Sequence, residues 1–218
     1  MTAGSTVLNE LEHDALTELV NIGVSRAASG LRKMVGQHVT LSVPSVEVVT
    51  RKTAAALIRE RESELLVAVR QDFEGAFYGR ALLIFPVASS LELVRAVTGD
   101  TLSTEEVEAM ETEALAETGN VVLNSCLATM ANMLQRPLTM SLPQVIRGEG
   151  QLFFELDSMD SDGGGVVLFL YINFSVGNWD IRGYIAMLMD LPSLEALKLL
   201  ISEFISRVVG SDELAGEA

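Results

Sequence analysis

Apolar residues recur at steps of three and four from Leu8 to about Val35. Leu8, Leu11, Ala15, Leu19 and Ile22 form one stripe, which predicts an amphipathic helix with that stripe toward a core. A polar stripe of Asp14, Glu18, Asn21 and Ser25 runs alongside, displaced by one residue and so by roughly 100° around the axis. Gly36 stands where a helix C-terminal cap is expected. The period then changes to two. His38–Val49 alternates and is rich in β-branched residues, which predicts a strand, and Pro44 inside it predicts an edge position, a bulge or a sheet entry. Glu64–Arg70 and Ala76–Pro86 predict two more strands, with QDFEG as the hairpin turn between them. Val87–Val97 returns to helical spacing and ends at Gly99.

A second cycle follows. Ser103 and the acids Glu105 and Glu106 predict an N-cap, and a helix should run from about Thr104 to Leu134. Val107, Met110, Ala114 and Val121 take the slots of the first apolar stripe. LTMSLPQVI after Pro137 matches VTLSVPSVE, and Gln151–Leu156, Gly165–Phe174 and Ile181–Met189 predict strands, with SDGGG as a turn. Pro192 opens a last helix to about Val209, and the acidic end SDELAGEA should fray. At an offset of 99, nine residues of Asp14–Val46 are identical in the two halves, a weak internal repeat that supports duplication. The expected fold is α/β (α+β), one domain over 1–218 built from two helix–strands–helix repeats, about 8–99 and 104–209. Related by a pseudo-twofold axis, the repeats should share a continuous sheet with the two long helices packed on one face.

Composition narrows the classes of function. A net charge of −15 over 218 residues argues against a nucleic-acid surface, which should be basic, and against an anionic membrane face. Mean hydropathy is +0.33, yet no apolar run approaches the ~20 residues of a membrane span, and the N-terminus lacks a signal core. A cytoplasmic protein is expected. Cys126 is the only cysteine, so no intrachain disulfide and no multi-cysteine metal site can form. Cys126 and the many methionines read as core filling, His13 and His38 as surface or capping residues, and Gly163–Gly165 as a turn rather than a phosphate loop.

The candidate chemistry lies on the polar stripes. Asp14, Glu18 and Asn21 share one helical face, and twenty-two residues separate Asn21 from Pro44; Glu113, Glu117, Asn120 and Pro143 repeat the arrangement with the same gap. Chance agreement at the glutamate, asparagine and proline together is on the order of one in thousands. An acid and a carboxamide on an exposed ridge suit contact with another protein better than a metal cage or a nucleophilic triad. Ser25 and Asn124 extend the two ridges; Pro44 and Pro143 are read as structural.

The spacing Asp-x3-Glu-x2-Asn-x22-Pro resembles the signature of the CheC/CheX/FliY family of chemotaxis phosphatases, which hydrolyse the aspartyl-phosphate of the response regulator CheY. Glu18-Leu19-Val20-Asn21-Ile22-Gly23, continuing to Ala27-Ala28, is similar to that family's first helix, and the likeness spans about Leu8 to Phe204. Two intact Glu/Asn pairs without an added domain resemble the CheC branch most. Glu113 departs from the Asp or Ser that the family favours there.

The resemblance implies that Asn21 and Asn120 aim the attacking water and that Glu18 and Glu117 pair with the receiver's lysine. Asp14, Ser25, Glu113 and Asn124 would then contact the partner. It implies no cofactor or metal held by this chain, Mg²⁺ being supplied by the phosphorylated receiver, and CheD as a second partner. The alternatives are a non-catalytic chemotaxis or flagellar-switch binding protein on the same scaffold, or a regulator of the receptor deamidase CheD.

Overall fold

The computed structural model describes residues 8–63, 65–98, 103–155, 165–176 and 179–215. In chain order the elements are α1 (Glu10–Val35), β1 (Val39–Thr50), α2 (Arg51–Arg61), β2 (Leu66–Gly75), β3 (Gly79–Pro86) and α3 (Val87–Thr98). The second half follows with α4 (Thr104–Met133), β4 (Leu138–Met140), β5 (Gln144–Gly148), α5 (Leu152–Glu155), β6 (Val166–Val176), β7 (Trp179–Met189) and α6 (Leu191–Ala215). Both long helices open on a reciprocal capping box. Asn9 with Glu12 starts α1, and Ser103 with Glu106 starts α4, each pairing satisfying two backbone donors that the helix leaves free. Gly36 closes α1 in the left-handed conformation at φ 69°. Gln135, its counterpart ninety-nine residues on, adopts φ 55° without glycine's freedom.

All strands join one antiparallel sheet in the order β1-β6-β7-β3-β2-β4, with β5 also on β2. The order reads the same from either end once β4 and β5 are taken as the partner of β1. Each half therefore pairs its first strand into the other half's sheet. At the centre Leu83 lies opposite Ile185, flanked by Leu82 opposite Ala186 and Ile84 opposite Tyr184. The expected continuous sheet is present. From Ser42 to Ser45 the edge strand β1 takes three steps while β6 takes two, from Asn173 to Tyr171. From Met140 to Gln144 the chain takes four steps while β2 takes three, from Phe73 to Arg70. Pro44 and Pro143 fall inside these two extra-residue stretches, where a missing N–H costs no ladder bond.

One sheet face carries α1 and α4, flanked by α6 and α3, over a core that includes Leu16, Leu19, Leu123, Leu127, Leu83 and Ile185. The other face is covered in part by α2 and α5 through Ala54, Ile58, Phe153 and Phe154. A Cβ on Gly23 would lie 2.9 Å from Cys126 Cα, and one on Gly30 3.0 Å from a Val121 methyl. The two long helices thus run antiparallel and touch at backbone distance.

This close crossing corrects the expected apolar stripe. The buried positions of α1 are Glu12, Leu16, Leu19, Val20, Gly23, Val24, Ala27 and Leu31, while Leu11 is 59% exposed and Ile22 is half-buried. In α4, Val107 is buried as expected but Met110 is exposed, and Glu111, Leu115, Gly119 and Cys126 face the core. A helix that meets its neighbour through glycine, alanine and cysteine buries small residues, which a count of large apolar ones misses.

Other expectations shift as well. QDFEG is not a turn but the end of β2, and the reversal comes at Ala76–Tyr78. Gln151–Leu156 is not a strand; Leu152–Glu155 makes one helical turn that buries Phe153 and Phe154. Ser211–Ala215 continues α6 rather than fraying. Helix α2, capped by Thr50, was not anticipated. SDGGG up to Gly164, Leu156 and Gly99 lie outside the described residues.

Candidate functional site

On α1, Asp14, Glu18 and Ser25 are exposed and Asn21 is half-buried. Glu18, Asn21, Ile22, Ser25, Arg26 and Ser29 line one shallow depression, so the ridge is a surface that another molecule can reach. Among the described residues, the Asn21 carboxamide takes no hydrogen-bond partner. Its oxygen and its NH₂ are both available. Arg26 at the edge of the depression donates from Nη1 to Thr129 Oγ1 at 3.3 Å, which ties the ridge to α4.

On α4, Glu113 and Glu117 are exposed, and Asn120 and Asn124 are half-buried. Here the carboxamide is engaged. Asn120 Oδ1 accepts from Gln71 Nε2 at 3.2 Å and from Asn124 Nδ2 at 2.7 Å. Gln71 Nε2 also donates to the Ser141 carbonyl at 2.9 Å. Ser141 is itself pinned to β2, its N–H donating to Asp72 O and its Oγ accepting from Asp72 N, both at 2.9 Å. Burial raises the Asp72 carboxyl, but hydrogen bonds from Arg70 and Arg80 outweigh it and hold Asp72 below the usual carboxylate range. Arg80 Nε lies 2.8 Å and Arg70 Nη2 3.0 Å from its two oxygens.

Two of the residues set aside in the sequence have structural work. His13 Nε2 meets the Val46 carbonyl at 3.0 Å, fastening α1 to the edge strand. Cys126 is buried at the helix crossing, where desolvation pushes its thiol up to about 12. Pro143 is half-buried between β4 and β5. Among the described residues, no three His, Cys, Asp or Glu side chains converge to hold a metal ion, and no helix is long and apolar enough to cross a membrane.

Gln71 and Ser141 were not singled out in the sequence, although Gln71 left a trace. Val67, Val69 and Phe73 of β2 belong to the core beneath the long helices. Gln71 interrupts that alternation and is 1% exposed. A glutamine buried in an apolar row needs partners, and its NH₂ finds them in the Ser141 carbonyl and in Asn120 of α4.

Two family descriptions match the chain in order. The CheC-like family matches residues 11–48 and the family of the chemotaxis phosphatase CheX matches residues 67–160, so each match contains one Glu/Asn pair and its proline. The CheC1 protein of Halobacterium salinarum is 25% identical over 152 residues, 67% of this chain and 74% of that protein. The CheY-P phosphatase CheC of Bacillus subtilis is 23% identical over 63% of this chain and 67% of its own length. The flagellar motor switch phosphatase FliY of the same organism is 25% identical, but the match spans 36% of that longer protein. Among solved structures, Thermotoga maritima FliY superposes with a TM-score of 0.69 at 18% identity, over 91% of this chain and 99% of that one. The FliM middle domain of H. pylori gives 0.59 at 10% identity, over 88% and 99%. These likenesses, together with the doubled Glu/Asn ridges, support the CheC/CheX/FliY family for this chain.

Proposed function

We propose that this protein is a phosphatase acting on the aspartyl-phosphate of a CheY-type response regulator, with one site on each long helix of a single domain of two repeats. The observation that carries the reading is the outward placement of both Glu/Asn pairs on neighbouring helices. Two relatives named as CheY-P phosphatase and motor switch phosphatase support it. An aspartyl-phosphate is already activated, and the receiver supplies Mg²⁺ and a lysine for the developing charge. An in-line water must still be placed. Water oxygen attacks phosphorus, the aspartyl carboxylate leaves, and inorganic phosphate is released. A carboxamide holds such a water without being protonated or consumed, so Asn21 and Asn120 aim it. Glu18 and Glu117 pair with the receiver's lysine and set the depth of insertion. Asp14, Ser25 and Glu113 make contacts at the rim, where Asn124 is already bonded to Asn120. The reading puts the protein in the cytoplasm, with its receiver.

The FliM likeness favours a second reading, a switch-type binder without catalysis, but it bears on the fold alone. Phosphate release from a phosphorylated receiver in Mg²⁺ separates the two. The phosphatase reading predicts acceleration by the wild-type protein and none by Asn21→Ala/Asn120→Ala at unchanged thermal midpoint; a binder would leave the receiver's own rate untouched.

A further inference from the structure

The two ridges are alike in sequence and unlike in what stands beneath them. Ser45 and Gln144 each follow their proline by one residue, and they lie opposite Tyr171 and Arg70. One step on, Gln71 in β2 and Ile172 in β6 hold the same register position under the two halves. Gln71 carries an amide there and Ile172 a hydrocarbon; both are 1% exposed.

The orientation of the Gln71 amide follows from its surroundings. The Ser141 carbonyl can only accept, so the atom 2.9 Å from it must be the NH₂ of Gln71. That same nitrogen lies 3.2 Å from Asn120, so the oxygen of Asn120 must face it. Asn124 supplies a second donor to that oxygen. Both acceptor positions of Asn120 Oδ1 are then filled, and its Nδ2 is left to point away from the bonds. Ser141 can serve as the anchor because the extra residue before Gln144 takes its carbonyl out of the strand ladder. Pro143, twenty-three residues after Asn120, thereby acts on that asparagine through Gln71.

Resting on the phosphatase reading, we propose that Gln71 is a positioning residue for Asn120: anchored by the Ser141 carbonyl, it holds the second ridge's carboxamide with NH₂ outward. The second ridge meets the receiver with its amide already ordered and aims the water by donation. The first ridge, whose carboxamide takes no partner among the described residues, must order Asn21 on contact.

The test uses the full chain carrying Asn21→Ala, so that only the second ridge works, with and without Gln71→Leu. Leucine matches the hydrocarbon of Ile172 and leaves no unpaired polar atom of its own. NMR of the Asn120 side-chain NH₂ reads the clamp without catalysis: a rigid group is expected with Gln71, and a more mobile one, held by Asn124 alone, in Gln71→Leu. Phosphate release then reads its consequence. A fall in kcat of about tenfold is expected, short of the hundredfold of outright misplacement, with KM and the thermal midpoint held. A merely structural role would instead lower the midpoint of Gln71→Leu and spare kcat. Unchanged NH₂ mobility in Gln71→Leu, or a mobile clamp with unchanged kcat, overturns the proposal. No acceleration by Asn21→Ala alone defeats the phosphatase reading of this ridge, and the catalytic part of the proposal with it, while the NMR result still decides the clamp.

Discussion

The ridge on α1 and the ridge on α4 show how one surface pattern can rest on two different foundations. Asn21 sits in an open depression with both ends of its amide free, while Asn120 is held by Gln71 and Asn124. The helices share the Glu-x-x-Asn spacing and contribute only Asn124 in the place of Ser25; the other part of the difference is Gln71. It arises in the sheet beneath, where each half supplies a strand to the other. A duplicated helix can thus keep its outward chemistry while the support diverges, and the support decides how much ordering remains to be done when the partner arrives.

Charge reversal probes the shared part of the pattern. On the proposed phosphatase reading, Glu18→Lys and Glu117→Lys, combined, should lower kcat/KM by about a hundredfold or more, since each would place a like charge against the receiver's lysine. Steady-state kinetics on each single variant would apportion docking between the ridges, and an undiminished kcat/KM in the double variant removes the glutamates from the interface. Gly119→Ala breaks the second ridge alone. The added methyl would overlap the Val69 side chain of β2, one residue from Asn120, and should cost about 1–3 kcal/mol in denaturant unfolding. A neutral result there would mean that α4 lifts off the sheet without strain.

Two smaller changes make the halves more alike. Gln135→Gly gives the already left-handed end of α4 the glycine that α1 has at Gly36 and should stabilise by about 1 kcal/mol, read as a raised urea midpoint. If that midpoint falls, the Gln135 side chain contributes more than its backbone costs. Asp72→Asn copies Asn173, its counterpart opposite the first bulge. The Asp72 carboxyl is held below its ordinary 3.8, so its contribution is present above that value and is lost as pH falls through the folded value. Thermal midpoints from about pH 5 downward should therefore drop less steeply in the variant than in the wild type; equal slopes would show that the Arg70 and Arg80 bonds do not favour the charged form.

The sequence made the long helices, the caps Gly36 and Ser103 and most strands legible because each rests on local signals: periodicity, an N-cap serine and a glycine at the end of α1. The continuous sheet was also legible, since two halves without a linker had to share it. The true helix stripe was not, because Gly23, Ala27 and Cys126 bury little by themselves and matter only where another backbone comes close. QDFEG looked like a turn because its polar residues suit one; in the sheet Asp72 is paid for by two arginines and Gln71 by α4. For the candidate site, the eight ridge residues could be read from spacing, whereas Gln71 and Ser141 belong to a pairing between halves that no local window contains.

The most direct measurement of the central claim is the initial rate of phosphate release from one phosphorylated CheY-type receiver, with wild type, Asn21→Ala, Asn120→Ala and the double variant side by side. Water-aiming by both carboxamides predicts a lower rate for each single variant, with Asn120→Ala the lower of the two, and a double variant indistinguishable from the receiver alone. A double variant that releases phosphate as fast as the wild type would contradict it.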